Sequence, residues 1–287
     1  MATMKAIKKR ISSVNNTKKI MKAMDLVAAS KLQKAKARLD DVRPLYDNIK
    51  IVMDGIKAGI SRGEEIAFAE ERDVKSVVYI VLTSDRGLCG GYNTNVSKEA
   101  LLCMNANEGT QDKIISVGMK GLEYFRRRNK NIIYKTVGAS ETTTFEDAEF
   151  IGTKIATMYT SGEIDEAYLV YTHFETILSH VPRIEKLLPI RADEADANAR
   201  STVEMAYDPD VNTFISYAVP MYLNVTIYGA MMEAAVCEYA SRMTSMDAAT
   251  RNAAEIIGDL TLDYNRKRQS MITQEITEIV SGANALK

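Results

Sequence analysis

The sequence predicts an α/β protein in which long N- and C-terminal helices form an antiparallel coiled coil around an inserted Rossmann-like α/β domain. Three observations carry this: a heptad series at the N-terminus, a second at the C-terminus, and alternating strand and helix signals between them. The expected boundaries are residues 1–59 for the first helix, 74–195 for the α/β domain and 209–287 for the last helix.

In the first element, apolar residues recur in alternating steps of four and three: Ile7, Ile11, Val14, Met21, Ala28, Leu32, Ala35, Leu39, Val42, Tyr46, Ile49, Met53, Ile56 and Ile60. Lys18 and Asp25 hold the two polar positions of the series. A 3.5-residue period keeps one stripe against a partner helix, which is the seam of a coiled coil. Pro44 is expected to kink the helix, and Gly55, Gly59 and Gly63 to end it near residue 59.

In the middle, Val77–Ser84, Lys113–Val117, Ile132–Val137 and Glu166–Phe174 are short aliphatic runs. Helix-length segments, Asn93–Asn107, Met119–Arg128 and Thr144–Ser161, separate them. This alternation predicts a mostly parallel sheet with covering helices. Residues 191–210 read as an acidic link. The last element repeats the heptad step through Tyr222, Val225, Gly229, Met232, Val236, Tyr239, Met243, Met246, Thr250, Ala253, Ile257, Leu260, Tyr264, Lys267 and Met271. At 1.5 Å per residue, helices of about 55 and 75 residues would be roughly 80 and 110 Å long, too long for a globular domain of this size.

Net charge over the 287 residues is −1, yet residues 1–40 hold eleven Lys or Arg against Asp25 and Asp40. Such asymmetry marks an interaction arm. Three readings fit it: a solvated face, electrostatic binding of nucleic acid, or docking against acidic protein loops. Residues 1–45 contain no aromatic side chain for stacking on bases, and nucleic acid is not the expected partner. No run approaches the roughly 18 apolar residues that span a bilayer. Cys89, Cys103 and Cys237 have no paired spacing, and with His173 and His180 they match no usual metal site.

The segment Ser84-Asp85-Arg86-Gly87-Leu88-Cys89-Gly90-Gly91-Tyr92-Asn93 follows a strand and precedes a helix. It could cradle a phosphate, but it lacks the glycine and lysine spacing of known phosphate loops, and a tight turn is the favoured reading. Cys89 reads as a small buried residue, and His173 and His180 as ordinary polar residues. Nothing brings Asp85 and Glu175 together as an acid–base pair, and no nucleophile–base set stands out. Neither catalytic residues nor cofactors are expected.

Three segments resemble the ATP synthase gamma family. They are Ile7–Met24 running on to Val27–Lys31, the Ser84–Asn93 turn, and Ile272-Thr273-Gln274-Glu275-Ile276-Thr277-Glu278-Ile279-Val280-Ser281-Gly282-Ala283-Asn284-Ala285. The resemblance spans the chain and implies the rotating central stalk of an F-type ATP synthase, a non-catalytic subunit of an ion-transporting ATPase. Its implied partners are three alpha and three beta subunits, the epsilon subunit and a ring of c subunits, with ATP and ADP bound by the partners.

Position by position, the resemblance places Met24 opposite an acidic loop of beta, and Arg242, Gln269 and Thr273 against other loops of the head. Arg268 and Glu275 neighbour them. Tyr207 and Asp208 fall in the segment that meets the c ring. The cysteine-bearing loop of chloroplast members has no counterpart in this sequence, and a mitochondrial targeting extension is not expected. A peripheral subunit on the cytoplasmic face of a bacterial membrane is expected.

Overall fold

The computed structural model describes residues 3–61, 68–69, 72–107, 109–138, 143–190 and 211–285. These residues form α1 (Met4–Ser61), β1 (Ser76–Leu82), α2 (Tyr92–Ala106), β2 (Gln111–Val117) and α3 (Met119–Arg126). β3 (Ile132–Thr136), α4 (Phe145–Thr160), β4 (Glu166–Phe174), β5 (His180–Leu188) and α5 (Val211–Ala285) complete the order. Two compact units result: Met1–Ala28 with Arg242–Lys287, and Ala29–Ser241.

The second unit is built on one five-stranded sheet of order β3-β2-β1-β4-β5. The first four strands are mutually parallel, linked by α2, α3 and α4 as crossovers. The order 3-2-1-4 is that of the first four strands of a doubly wound nucleotide-binding fold, so the Rossmann-like expectation holds. All seven residues of β1 are buried, as a central parallel strand covered on both faces requires. Val78, Ile80 and Leu82 face a core shared with α4 and α5, including Ile151, Ile155, Val219 and Leu223. Val77, Tyr79 and Val81 face a smaller core with Val96, Ala100 and Met104 of α2 and Phe125. Thr144 caps α4 reciprocally: its hydroxyl accepts the Asp147 N–H, and the Asp147 carboxylate accepts the Thr144 N–H.

β5 has no counterpart among the expected elements. It runs antiparallel to β4 at the sheet edge. Its sequence mixes His180, Pro182, Arg183, Glu185 and Lys186 with aliphatics, so it lacks the continuous apolar run that marks a strand buried on both faces. Its outer half alternates between half-buried and exposed positions.

Within this unit the segments of α1 and α5 pack with opposite chain directions. Lys31 lies over the Tyr239 ring at 5.8 Å, while Tyr46 lies 3.5 Å from where a side chain at Gly229 would begin. The expected seam is visible in α1: Leu32, Ala35, Met53 and Ile56 are buried, and Leu39, Val42, Tyr46 and Ile49 are half-buried between exposed neighbours. The helix is continuous through Pro44, where a local kink was expected; the residue is solvent-exposed, so water can take up the lost pairing. In α5 a single stripe understates the packing. From Tyr222 to Ser241 no residue is exposed, because this stretch serves the sheet core as well as the α1 contact.

The first unit consists of the start of α1 and the end of α5. Ala6 N–H lies 3.4 Å from the Thr3 hydroxyl that caps α1. Ile7, Ile11, Val14, Lys18, Met21 and Asp25 are half-buried and Ala28 is buried, so both polar seam positions stay on the seam. On α5, Met246 and Ala253 are buried, and Met243, Thr250, Ile257, Leu260, Tyr264 and Lys267 are half-buried. Met271, expected as the last seam residue, is instead 50% exposed. The α1 segment is the shorter of the two and is used up near Lys267. From Arg268 to Asn284 every residue of α5 is exposed.

Candidate functional site

A doubly wound fold takes its ligands in the crevice beyond the carboxyl ends of its parallel strands. Here that edge is filled. The Ser84 N–H donates to Asn93 Oδ1 at 2.8 Å and the Ser84 hydroxyl to the Arg86 carbonyl at 2.7 Å, closing the turn on itself. Asp85 accepts the Met119 N–H at 3.0 Å and the Gly138 N–H at 2.9 Å, so one carboxylate ties together the loops after β1, β2 and β3. Gly118 has φ of +94°, and a side chain there would begin 2.2 Å from the Thr83 carbonyl oxygen. Beside it, Leu82, Thr83, Tyr92 and Val117 meet Met231 and Ala234 of α5 around a cavity of about 10 Å³, room for roughly one water.

The tight-turn reading of Ser84–Asn93 is therefore the one the geometry supports. Cys89 is buried in a small cluster with Tyr92 and Cys237. Asp85 and Glu175 have separate partners, since Glu175 accepts from the Ser179 hydroxyl at 2.7 Å.

The two histidines do more than the sequence suggested. They stand on β4 and β5, and each reaches α5. His173 Nδ1 lies 2.8 Å from Glu233 Oε1, which also accepts the Phe174 N–H at 3.0 Å. His180 Nε2 pairs with the Ser241 hydroxyl, and the Cys237 thiol donates to the Thr172 carbonyl at 3.4 Å. Burial pushes the Glu233 carboxyl up, opposed by the Phe174 N–H, the His173 ring and Arg183. Burial holds the His180 imidazole below its usual value. Nearby Tyr46 is pushed up to about 12, chiefly by desolvation and next by Glu185. The signal in the sequence was the hairpin itself, which the missed β5 concealed.

The remaining candidates lie on helix surfaces of the first unit. Met24 is 39% exposed and continues a stripe with Ile20 and Val27, at 57% and 56%, away from the seam. This stripe escaped the heptad reading, which looked only at the buried face. Arg242 is half-buried; Arg268, Gln269, Thr273 and Glu275 are exposed within two turns of α5. The Thr273 hydroxyl donates to the Gln269 carbonyl at 2.9 Å, within the helix. Around them Met271, Ile272, Ile276, Ile279 and Val280 are 47% to 70% exposed. Tyr207 and Asp208 lie outside the described residues.

Charge on the start of α1 runs against the helix itself. Lys5, Lys8, Lys9 and Arg10 sit at its N-terminus, and no acid occupies the first turn. A cation in the first turn opposes the helix dipole by about 0.3–1 kcal/mol at low salt, and Lys5 lies there. Among the described residues no helix is long and apolar enough to cross a membrane.

A sequence model of the ATP synthase family matches residues 3–286. The chain is 40% identical over 288 residues to an ATP synthase gamma chain of Alkaliphilus metalliredigens, covering 99% of each protein. It is 41% identical over 286 residues to that of Exiguobacterium sibiricum, again covering 99% of each. Among solved structures, it resembles a chain of the Tetrahymena thermophila mitochondrial ATP synthase central stalk and c-ring. That match has a TM-score of 0.63 and 26% identity over 80% of this chain and 99% of that one. A chain of the Euglena gracilis mitochondrial ATP synthase shares the fold, with a TM-score of 0.71 at 17% identity over 99% of this chain and 94% of that one.

Proposed function

The chain belongs to the ATP synthase gamma family, and from that premise we propose that it works as a rotor whose helix surfaces, rather than any pocket, transmit torque. As a central stalk it would stand within a head of three alpha and three beta subunits and rest, with an epsilon subunit, on the ring of c subunits. Ion flow through the ring turns the stalk. The turning stalk presents a changing surface to each beta subunit, so affinity for ATP and ADP differs between the nucleotide sites of the head. Energy enters as torque and leaves as differential binding at distant sites. The proposed setting is the cytoplasmic face of a bacterial membrane, peripherally attached.

One observation carries this reading: α5 outruns its partner helix and exposes a mixed apolar and polar surface from Arg268 to Asn284. An isolated helix with five large aliphatic or thioether side chains exposed needs a surrounding sleeve. In this reading Arg268, Gln269, Thr273 and Glu275 meet loops of the head near the tip, and Met24 and Arg242 meet them lower on the shaft. Contacts of exposed charges at about 0–1 kcal/mol suit a surface that must release each partner in every turn. Tyr207 and Asp208 are assigned to the c-ring contact. The filled crevice at the sheet edge supports a chain without a nucleotide site of its own.

The test is reconstitution. Purified chain alone is expected to hydrolyse no ATP, and mixing with alpha and beta subunits is expected to yield one assembly with high turnover. ATP turnover by the isolated chain, or an active head that excludes the chain, would overturn the reading.

A further inference from the structure

We propose that the β4–β5 hairpin pins α5 against rolling, with Glu233 and Ser241 as positioning residues, so that torque passes between the sheet and this helix without slip. The inference rests on the rotor reading and assigns to particular residues a step that reading leaves open. Glu233, Cys237 and Ser241 are spaced i, i+4 and i+8 on α5, which sets three polar side chains on one face at successive turns. Each of them engages the hairpin.

The Phe174 N–H donates to Glu233 Oε1 at 3.0 Å, and His173 Nδ1 lies 2.8 Å from the same oxygen. One turn on, the Cys237 thiol donates to the Thr172 carbonyl at 3.4 Å. After another turn the Ser241 hydroxyl pairs with His180 Nε2. Phe174 and His180 are partners across the β4–β5 ladder, so both strands hold the helix. From α2 the Tyr92 hydroxyl adds a bond to the Ala234 carbonyl at 3.1 Å.

Directionality makes this row more than added stability. Apolar burial scales with area and is non-directional, so it keeps a helix in place without fixing which face it presents. A hydrogen bond weakens steeply once its angle is lost, so a row of them fixes that face. The Glu233 side chain is 16% exposed and Ser241 only 4%, which leaves water little room to replace a broken contact. Because α5 is one helix from Val211 to Ala285, an orientation fixed at Glu233–Ser241 is carried along its length.

The test reads torsional stiffness in the assembly with alpha and beta subunits. The head is fixed to a surface, and a bead is attached through Arg127→Cys in a Cys103→Ser chain. Angular spread of the bead is recorded without ATP. Glu233→Ala/Ser241→Ala removes three of the four hairpin contacts and should widen the variance about twofold. Glu233→Gln keeps an acceptor for the Phe174 N–H and should leave the spread as in the parent. Circular dichroism melts confirm that each variant is folded. An unchanged spread in the double variant would overturn the proposal, as would equal widening by Glu233→Gln. A parent bead that fails to turn once ATP is added would count against the rotor reading instead, and the spread without ATP would still decide whether the hairpin pins α5.

Discussion

In the unit Ala29–Ser241, Ile80, Ile151 and Ile155 are wholly buried, whereas at the far end of α5 Ile272, Ile276 and Ile279 are 47%, 56% and 70% exposed. Both sets sit in regular elements with sound local propensity, so secondary structure does not distinguish them. What differs is whether the chain supplies the surface that covers them. The sheet unit closes its core with its own helices. Among the described residues nothing covers the helix end, and its aliphatic residues are placed for a surface supplied from outside. Stability should therefore reside in the first set, and contact with partners in the second.

Substitutions that separate the two regions can break this contrast. The largest effect is expected from Ile80→Ala, which empties a site in the main core and should cost about 4 kcal/mol in denaturant unfolding of the isolated chain. Gly118→Ala should follow at about 3 kcal/mol, since it strains a positive φ and drives a methyl group onto the Thr83 carbonyl. A silent Ile80→Ala would mean a loosely packed main core, and a silent Gly118→Ala a loosely packed carboxyl edge of the sheet.

A smaller effect with a defined pH dependence is expected at the hairpin. The folded state holds His180 below its ordinary value of 6.5, so its neutral form contributes stability above that pH, and this is lost as pH falls through the folded value. Thermal melts of His180→Gln should then fall less on acidification below pH 6.5 than those of the parent chain. Equal slopes would show that the His180–Ser241 contact is not linked to folding.

The smallest effect on stability is expected at the tip. Met271→Ser, Ile276→Ser and Ile279→Ser together should change the stability of the isolated chain by no more than about 0.5 kcal/mol, or roughly 1–2 °C in Tm. The same variant should nevertheless lose most ATP turnover when assembled with alpha and beta subunits.

The contrast also explains what the sequence made legible. Heptad spacing located both terminal helices because the 3.5-residue period follows from geometry, and even Lys18 and Asp25 lie on the seam it predicts. The parallel strands were visible because strands such as β1, covered on both faces, read as continuous aliphatic runs. β5 was hidden by its place at an edge, where Pro182, Arg183 and Lys186 are tolerated. The roles of His173 and His180 were hidden with it, since they depend on Glu233 and Ser241, distant in sequence. At the tip, periodicity counted Met271 as seam because it cannot tell where a partner helix runs out. The family motifs, and not the pattern, pointed to Met24 and Arg242.

The central claim is that this chain turns within its partners. Arg127 is exposed on the sheet unit and suits a label, attached to Arg127→Cys in a chain with Cys103→Ser so that the remaining cysteines, Cys89 and Cys237, are buried. With the alpha and beta head fixed to a surface and a bead on that label, addition of ATP should produce continued rotation in one direction. ATP hydrolysis at full rate by assemblies whose bead, firmly attached, keeps a fixed orientation would contradict it.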